Sequence, residues 1–125
     1  KSFVHLLKIL KQIDMTKKQL VQFLKDNFTS ESGYVDLTDL DFGDDSVDIG
    51  RLKTKGNLYQ DYQKVGLMLY QNHQEVGSSI HQDLQTAGIA IYQDYQKVKI
   101  NLYQDNQTVG NVIYQNKQDA KEIIN

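Results

Sequence analysis

Residues 58–66 read LYQDYQKVG, residues 69–77 read LYQNHQEVG, and residues 80–88 read IHQDLQTAG. The phrase returns as IYQDYQKVK at 91–99, LYQDNQTVG at 102–110 and IYQNKQDAK at 113–121. With Asn57 as position 1, every copy has Leu or Ile at position 2, Gln at positions 4 and 7, and Val or Ala at position 9. Position 5 is always Asp or Asn, and position 10 is Gly in four of the six copies.

Two architectures use an eleven-residue period. A long helix can, because eleven residues make nearly three turns and give a right-handed supercoil. A β-solenoid can also, with positions 2 and 4 pointing inward along one short strand and positions 7 and 9 along the next. In that arrangement Asx at 5 and Gly at 10 mark the corners.

Three observations favour the solenoid. Exposed helical glutamines have no reason to recur in every copy. Stacked coils place identical amides about 4.8 Å apart, where each can satisfy the next. A buried amide without such partners is costly, so every copy must comply. Gly66, Gly77, Gly88 and Gly110 inside a helix would cost about 4 kcal/mol together. The register also runs backwards into non-helical sequence. In SVDIGRLKTKG (46–56), positions 2, 4, 7 and 9 are Val47, Ile49, Leu52 and Thr54. In VDLTDLDFG (35–43) they are Val35, Leu37, Leu40 and Phe42. The expected fold is therefore mainly β with an α cap: a β-solenoid of about eight short coils, one per eleven-residue repeat. The alternative is a hairpin followed by a long hendecad helix. The period alone leaves open whether one coil takes eleven or twenty-two residues.

Upstream, Phe3, Val4, Leu6, Leu7, Leu10 and Ile13 recur at helical spacing. Thr16 and Gln19 form a capping-box pattern that starts a second helix, with Leu20, Val21, Phe23, Leu24 and Phe28 as its expected apolar face. Asn27 is its expected stop. Two short helices must cover something, because they cannot stand alone in water. The division is a helical cap over 1–33 and a repeat solenoid over 34–125. The helices are expected to close the apolar end, since an open solenoid end exposes unpaired strand edges. The C-terminal coils lack an obvious cap, so a homodimer through them is expected. The chain begins at Lys1 rather than Met, so the natural N-terminus is expected upstream of it.

The stretch VDLTDLDFGDDSVDI (35–49) is similar to the opening coils of pentapeptide-repeat β-solenoids, with a central Leu or Phe between small and acidic residues. Units such as KGNLYQDYQKVG (55–66) resemble repeat proteins of phages and mobile elements of low-GC Gram-positive bacteria. The resemblance is one of repeat style and covers residues 34–122. It implies a non-enzymatic scaffold, a cytoplasmic location in a bacterial host, and a nucleic-acid-handling enzyme as partner, inhibited by DNA mimicry or in an anti-CRISPR-like manner.

Net charge is only −2, but it is unevenly spread. Residues 1–27 carry six Lys against Asp14 and Asp26; residues 28–50 carry seven acids and no base. The acidic block, with Asp41, Asp44 and Asp45 at its centre, could imitate phosphates toward a basic partner. It lacks EF-hand spacing, so calcium is not expected. The outward position 3 gives Tyr59, Tyr70, His81, Tyr92, Tyr103 and Tyr114, expected to stack as one ribbon. Either the ribbon only stabilises the sheet, or its tyrosines supply rigid amphipathic contact area for a protein partner.

No Cys is present, so disulfides and thiolate sites are excluded. His73 and His81, with Glu75 and Asp83 near in sequence and His5 remote, are too thin a set for zinc. No metal, cofactor or catalytic constellation is expected. No apolar run approaches a membrane span of about 18 residues. Two alternatives remain. One is direct nucleic-acid binding by Lys11, Lys17, Lys18 and Lys25. The other is a lipid-surface helix built from the repeat.

Overall fold

In the computed structural model, residues 16–30 and 33–125 are described. The expected first helix over Phe3 to Ile13 lies outside them, as does Lys11. Helix α1 spans Lys17–Phe28. Thr16 caps it as the sequence predicts: the Gln19 amide donates to Thr16 Oγ1 at 3.1 Å, and the Thr16 amide to Gln19 Oε1 at 2.8 Å. Such a cap contributes about 1 kcal/mol. The helix ends where Thr29 turns extended; Asn27, the expected stop, is still helical, and its side chain caps the Phe23 carbonyl. Leu20 and Leu24 are buried in the core, and α1 packs on the first strand of the solenoid.

The repeats form a four-sided parallel β-solenoid of about four turns. Face A holds β1 (Val35–Asp36), β4 (Leu58–Tyr59), β8 (Ile80–His81), β12 (Asn101–Tyr103) and β15 (Glu122–Ile124). Face B holds β5 (Lys64–Val65), β9 (Thr86–Ala87) and β13 (Thr108–Val109). Face C holds β2 (Val47–Asp48), β6 (Met68–Tyr70), β10 (Ala90–Tyr92) and β14 (Val112–Tyr114). Face D holds β3 (Lys53–Thr54), β7 (Glu75–Val76) and β11 (Lys97–Val98). The chain visits A, B, C and D in turn, so A opposes C and B opposes D.

Leu58 sits on Ile80 and Ile80 on Leu102. The stacking step is thus 22 residues. One repeat is half a circuit, and the expected eight coils become about four. The reason is geometric: eleven residues supply two sides and their corners, and two such units are needed to close the loop. The hendecad helix is excluded over 57–122, where the described elements are all strands.

The corners also differ from expectation. The left-handed residue is position 6, occupied by Tyr62, His73, Leu84, Tyr95, Asn106 and Lys117, all with φ between 52° and 59°. The Asx before it does another job. The Asp83 amide donates to Asp61 Oδ1 at 2.7 Å, Asp105 to Asp83 at 2.6 Å, Asp94 to Asn72 at 2.7 Å and Asn116 to Asp94 at 2.7 Å. Glycine at position 10 is needed for close approach instead of a left-handed turn. A Cβ on Gly88 would fall on the Gly66 carbonyl oxygen.

The glutamines are indoors. Gln60, Gln63, Gln71, Gln74, Gln82, Gln85, Gln93 and Gln96 are fully buried. Position-4 amides run along the axis: Gln60 Nε2 donates to Gln82 Oε1 at 2.8 Å, and Gln82 to Gln104 at 3.0 Å. Gln71, Gln93 and Gln115 repeat this on the other side. Position-7 amides close a second need. On faces A and C, backbone amides such as Gln60 reach forward to the next coil; past the corner, amides such as Thr86 reach back. The position-4 carbonyl lies where the direction reverses. Gln63, Gln74, Gln85, Gln96 and Gln118 donate to the carbonyls of Leu37, Ile49, Gln60, Gln71 and Gln93 in the coil before. Among the described residues, no buried side-chain nitrogen or oxygen lacks a partner.

Candidate functional site

The 22-residue circuit decides what the surface presents. The six position-3 rings do not form one ribbon. They divide into two, on opposing faces. On face A, Tyr59, His81 and Tyr103 stack with ring centroids 4.9 and 4.6 Å apart, and Tyr34 meets Tyr59 edge-on. On face C, Tyr70, Tyr92 and Tyr114 stack at 4.7 Å in both steps. Each contact contributes about 0.5–1.5 kcal/mol. The Tyr92 phenol is pushed above its ordinary value by desolvation in the stack, then by Tyr114 and Tyr70. Asn57 and Asn101 each hold the phenol of their own strand, at 2.9 and 3.1 Å.

Charge divides along the other axis. The half-coils that make faces A and B (35–45, 57–67, 79–89, 101–111) carry eight carboxylates against Lys64 alone, a net −7. The half-coils that make faces C and D (46–56, 68–78, 90–100, 112–121) carry seven bases against four acids, a net +3, and Glu122 begins β15 on face A. Asp39, Asp41, Asp44 and Asp45 are exposed on the acidic flank, where Asp41 bridges to Lys64 through the backbone. Asp61, Asp83 and Asp105 form an axial row on the same flank. The Asp61 carboxyl is raised above its ordinary value, chiefly by burial; the hydrogen bond from the Asp83 amide opposes this, and the Asp83 carboxylate adds to it.

The basic flank is the feature the sequence reading passed over. Lys53, Thr54, Glu75, Val76, Lys97, Lys99 and Asp119 line an open groove of about 540 Å³ over face D. It continues into a hollow of about 480 Å³ between Arg51, Lys53, His73, Tyr95 and Lys97, with His73 stacked on Tyr95 at 4.9 Å. A third hollow, also about 480 Å³, joins Arg51 and Lys53 to Lys18 and Lys25 of α1. So Lys18 and Lys25 sit beside solenoid cations rather than on an isolated helix; the Lys17 side chain is outside the described set. His73 and His81 lie on different sides of the coil. Among the described residues, no cluster of three or more His, Asp or Glu could hold a metal ion, and no helix is long and apolar enough to cross a membrane.

Among the described residues, no strand lies beyond the C-terminal ones. β13, β14 and β15 are the last strands of their sheets, and Gln115 and Ile123 are exposed there. No family model, curated protein or solved structure matches this chain.

Proposed function

We propose that the protein is a non-enzymatic interaction scaffold, whose acidic flank engages a basic surface on a protein partner. The partner class we favour is a nucleic-acid-handling enzyme, and the action is phosphate imitation of the kind used by phage-type inhibitors with pentapeptide-like repeats. The observation that carries this reading is the stacking of alternate repeats on one side, which collects eight carboxylates against one lysine on a stiff frame. Stiffness matters because a charge array held in place loses little entropy on binding. The tyrosine ribbons Tyr59–Tyr103 and Tyr70–Tyr114 flank that surface and supply apolar contact area.

Asp44→Lys with Asp45→Lys tests it. Both residues are exposed in a turn, so the far-UV dichroism of the double variant should match the parent. Capture of nucleic-acid-binding enzymes from a candidate host extract should fall at least tenfold, and an undiminished yield removes mimicry. We also propose that two copies stack through the C-terminal edges, where, among the described residues, β14 and β15 have no further strand beside them. Light scattering on the 125-residue chain should then report twice the monomer mass, falling on dilution; a monomer at every concentration rejects this.

A further inference from the structure

We infer that the face-D flank, continued by the basic side of α1, is a binding track for the phosphate backbone of a single nucleic-acid strand. This does not rest on the acidic-flank reading; the two surfaces are on opposite sides of the coil. Three joined hollows make the track, and six cations line it: Lys18, Lys25, Arg51, Lys53, Lys97 and Lys99. Against them stand Glu75 and Asp119, leaving a net +4. Glu75 is already paired with Lys53 at 3.3 Å. Among the described residues this is the one ion pair in the track.

The order of side chains argues for a strand-like ligand. Arg51, His73, Tyr95 and Lys117 occupy the same corner in successive coils, because each is position 6 and stands 22 residues from the last. They make an axial ladder of cation, ring, ring, cation. His73 and Tyr95 cover one another's faces, so their exposed edges offer an imidazole N–H and a phenol O–H to a passing oxyanion. Lys53 and Lys97 run parallel to this ladder, two coils or about 10 Å apart. A flexible polyanion can follow such a line from coil to coil, whereas a folded acidic surface meets only a patch of it. Cations tracking a backbone beside aromatic groups are the usual means of holding single strands.

The test is fluorescence anisotropy of a labelled oligothymidylate of about 20 nucleotides with the whole 125-residue chain. Four neutralised phosphates predict affinity falling about 50-fold between about 50 and about 200 mM salt. Lys97→Gln with Lys99→Gln should weaken binding about tenfold and roughly halve the salt slope. Lys18→Gln with Lys25→Gln should do the same through a different element, which keeps the test valid if the solenoid variant misfolds. Lys64→Gln, on the opposite flank, should change nothing. No binding at low salt, no salt dependence, or equal losses from Lys64→Gln would overturn the assignment. So would displacement of the strand by polyglutamate at equal charge concentration, which would place an acidic protein in the track instead.

Discussion

Gln82→Glu should destabilise the protein by about 3–5 kcal/mol at neutral pH, and much less in acid. Gln82 is fully buried at the centre of the amide network. Its Nε2 donates to Gln93, Gln96 and Gln104, and its Oε1 accepts from Gln60 and Gln96. Glutamate keeps the shape and the acceptor. It replaces the donor with a second oxygen aimed at three amide oxygens, and it places a charge where, among the described residues, no cation is buried. Burial raises the folded-state pKa of the new carboxyl above its unfolded value of about 4.3. Stability is therefore highest below the unfolded pKa and is lost as pH rises through the folded pKa. Gln82→Leu is the control. It removes donor and acceptor together, the neighbours keep their other bonds, and a pH-independent loss of about 2 kcal/mol is expected. Urea unfolding at about pH 4 and about pH 7.5 separates them; equal, pH-independent losses for both variants would refute a closed amide network.

How far the fold could be read from the chain follows from the same network. The glutamines declared themselves because the requirement is local to every repeat: an inward amide and a turn carbonyl recur at each corner. The circuit length did not, because faces A and C are near-equivalent, as are B and D, and both halves satisfy the same phrase. The distinction survives only where a side chain meets its own kind 22 residues away. Position 1 is Asn57, Ser79 and Asn101 in one set of half-coils and Met68, Ala90 and Val112 in the other. In the first set Asn57 accepts from the Ser79 amide and Ser79 from the Asn101 amide. In the second, Ala90 is buried and Met68 meets the Tyr70 hydroxyl at 3.3 Å. That alternation was the available signal for a 22-residue circuit. Without it the tyrosines read as one ribbon, and the lysines at 53, 55, 97 and 99 read as scattered. The corners were misplaced for another reason. Left-handed geometry usually announces itself through Gly, yet here the corner residues are Tyr, His, Leu, Asn and Lys, held by backbone ladders on both sides.

Gly88→Ala is the second substitution with a large expected effect, about 3 kcal/mol or more. The three glycines Gly66, Gly88 and Gly110 form a column at the corner between faces B and C. Each backbone there lies against the one below: a Cβ on Gly88 would meet the Gly66 carbonyl oxygen, and one on Gly110 the Gly88 carbonyl oxygen, both well inside 3.0 Å. These neighbours are main chain, so no side chain can swing away. Relief requires separating two coils where the Gly88 amide donates to the Val65 carbonyl at 3.0 Å and the Ile89 amide to the Leu67 carbonyl at 2.9 Å. The opposite corner shares this close approach at Gly77, where a Cβ would meet the Lys55 carbonyl oxygen, but carries side chains elsewhere in its column. There position 10 is Lys55, Gly77, Lys99 and Lys121, so a Cβ is accommodated in the coils before and after Gly77. Lys99→Ala should therefore stay within about 0.5 kcal/mol of the parent. The pair tests the close approach directly, since both residues hold the same position in the repeat, one with no room for a Cβ and the other already carrying one. Equal stabilities for Gly88→Ala and Lys99→Ala in chemical denaturation would mean that the coils at Gly88 can separate to admit a Cβ without cost.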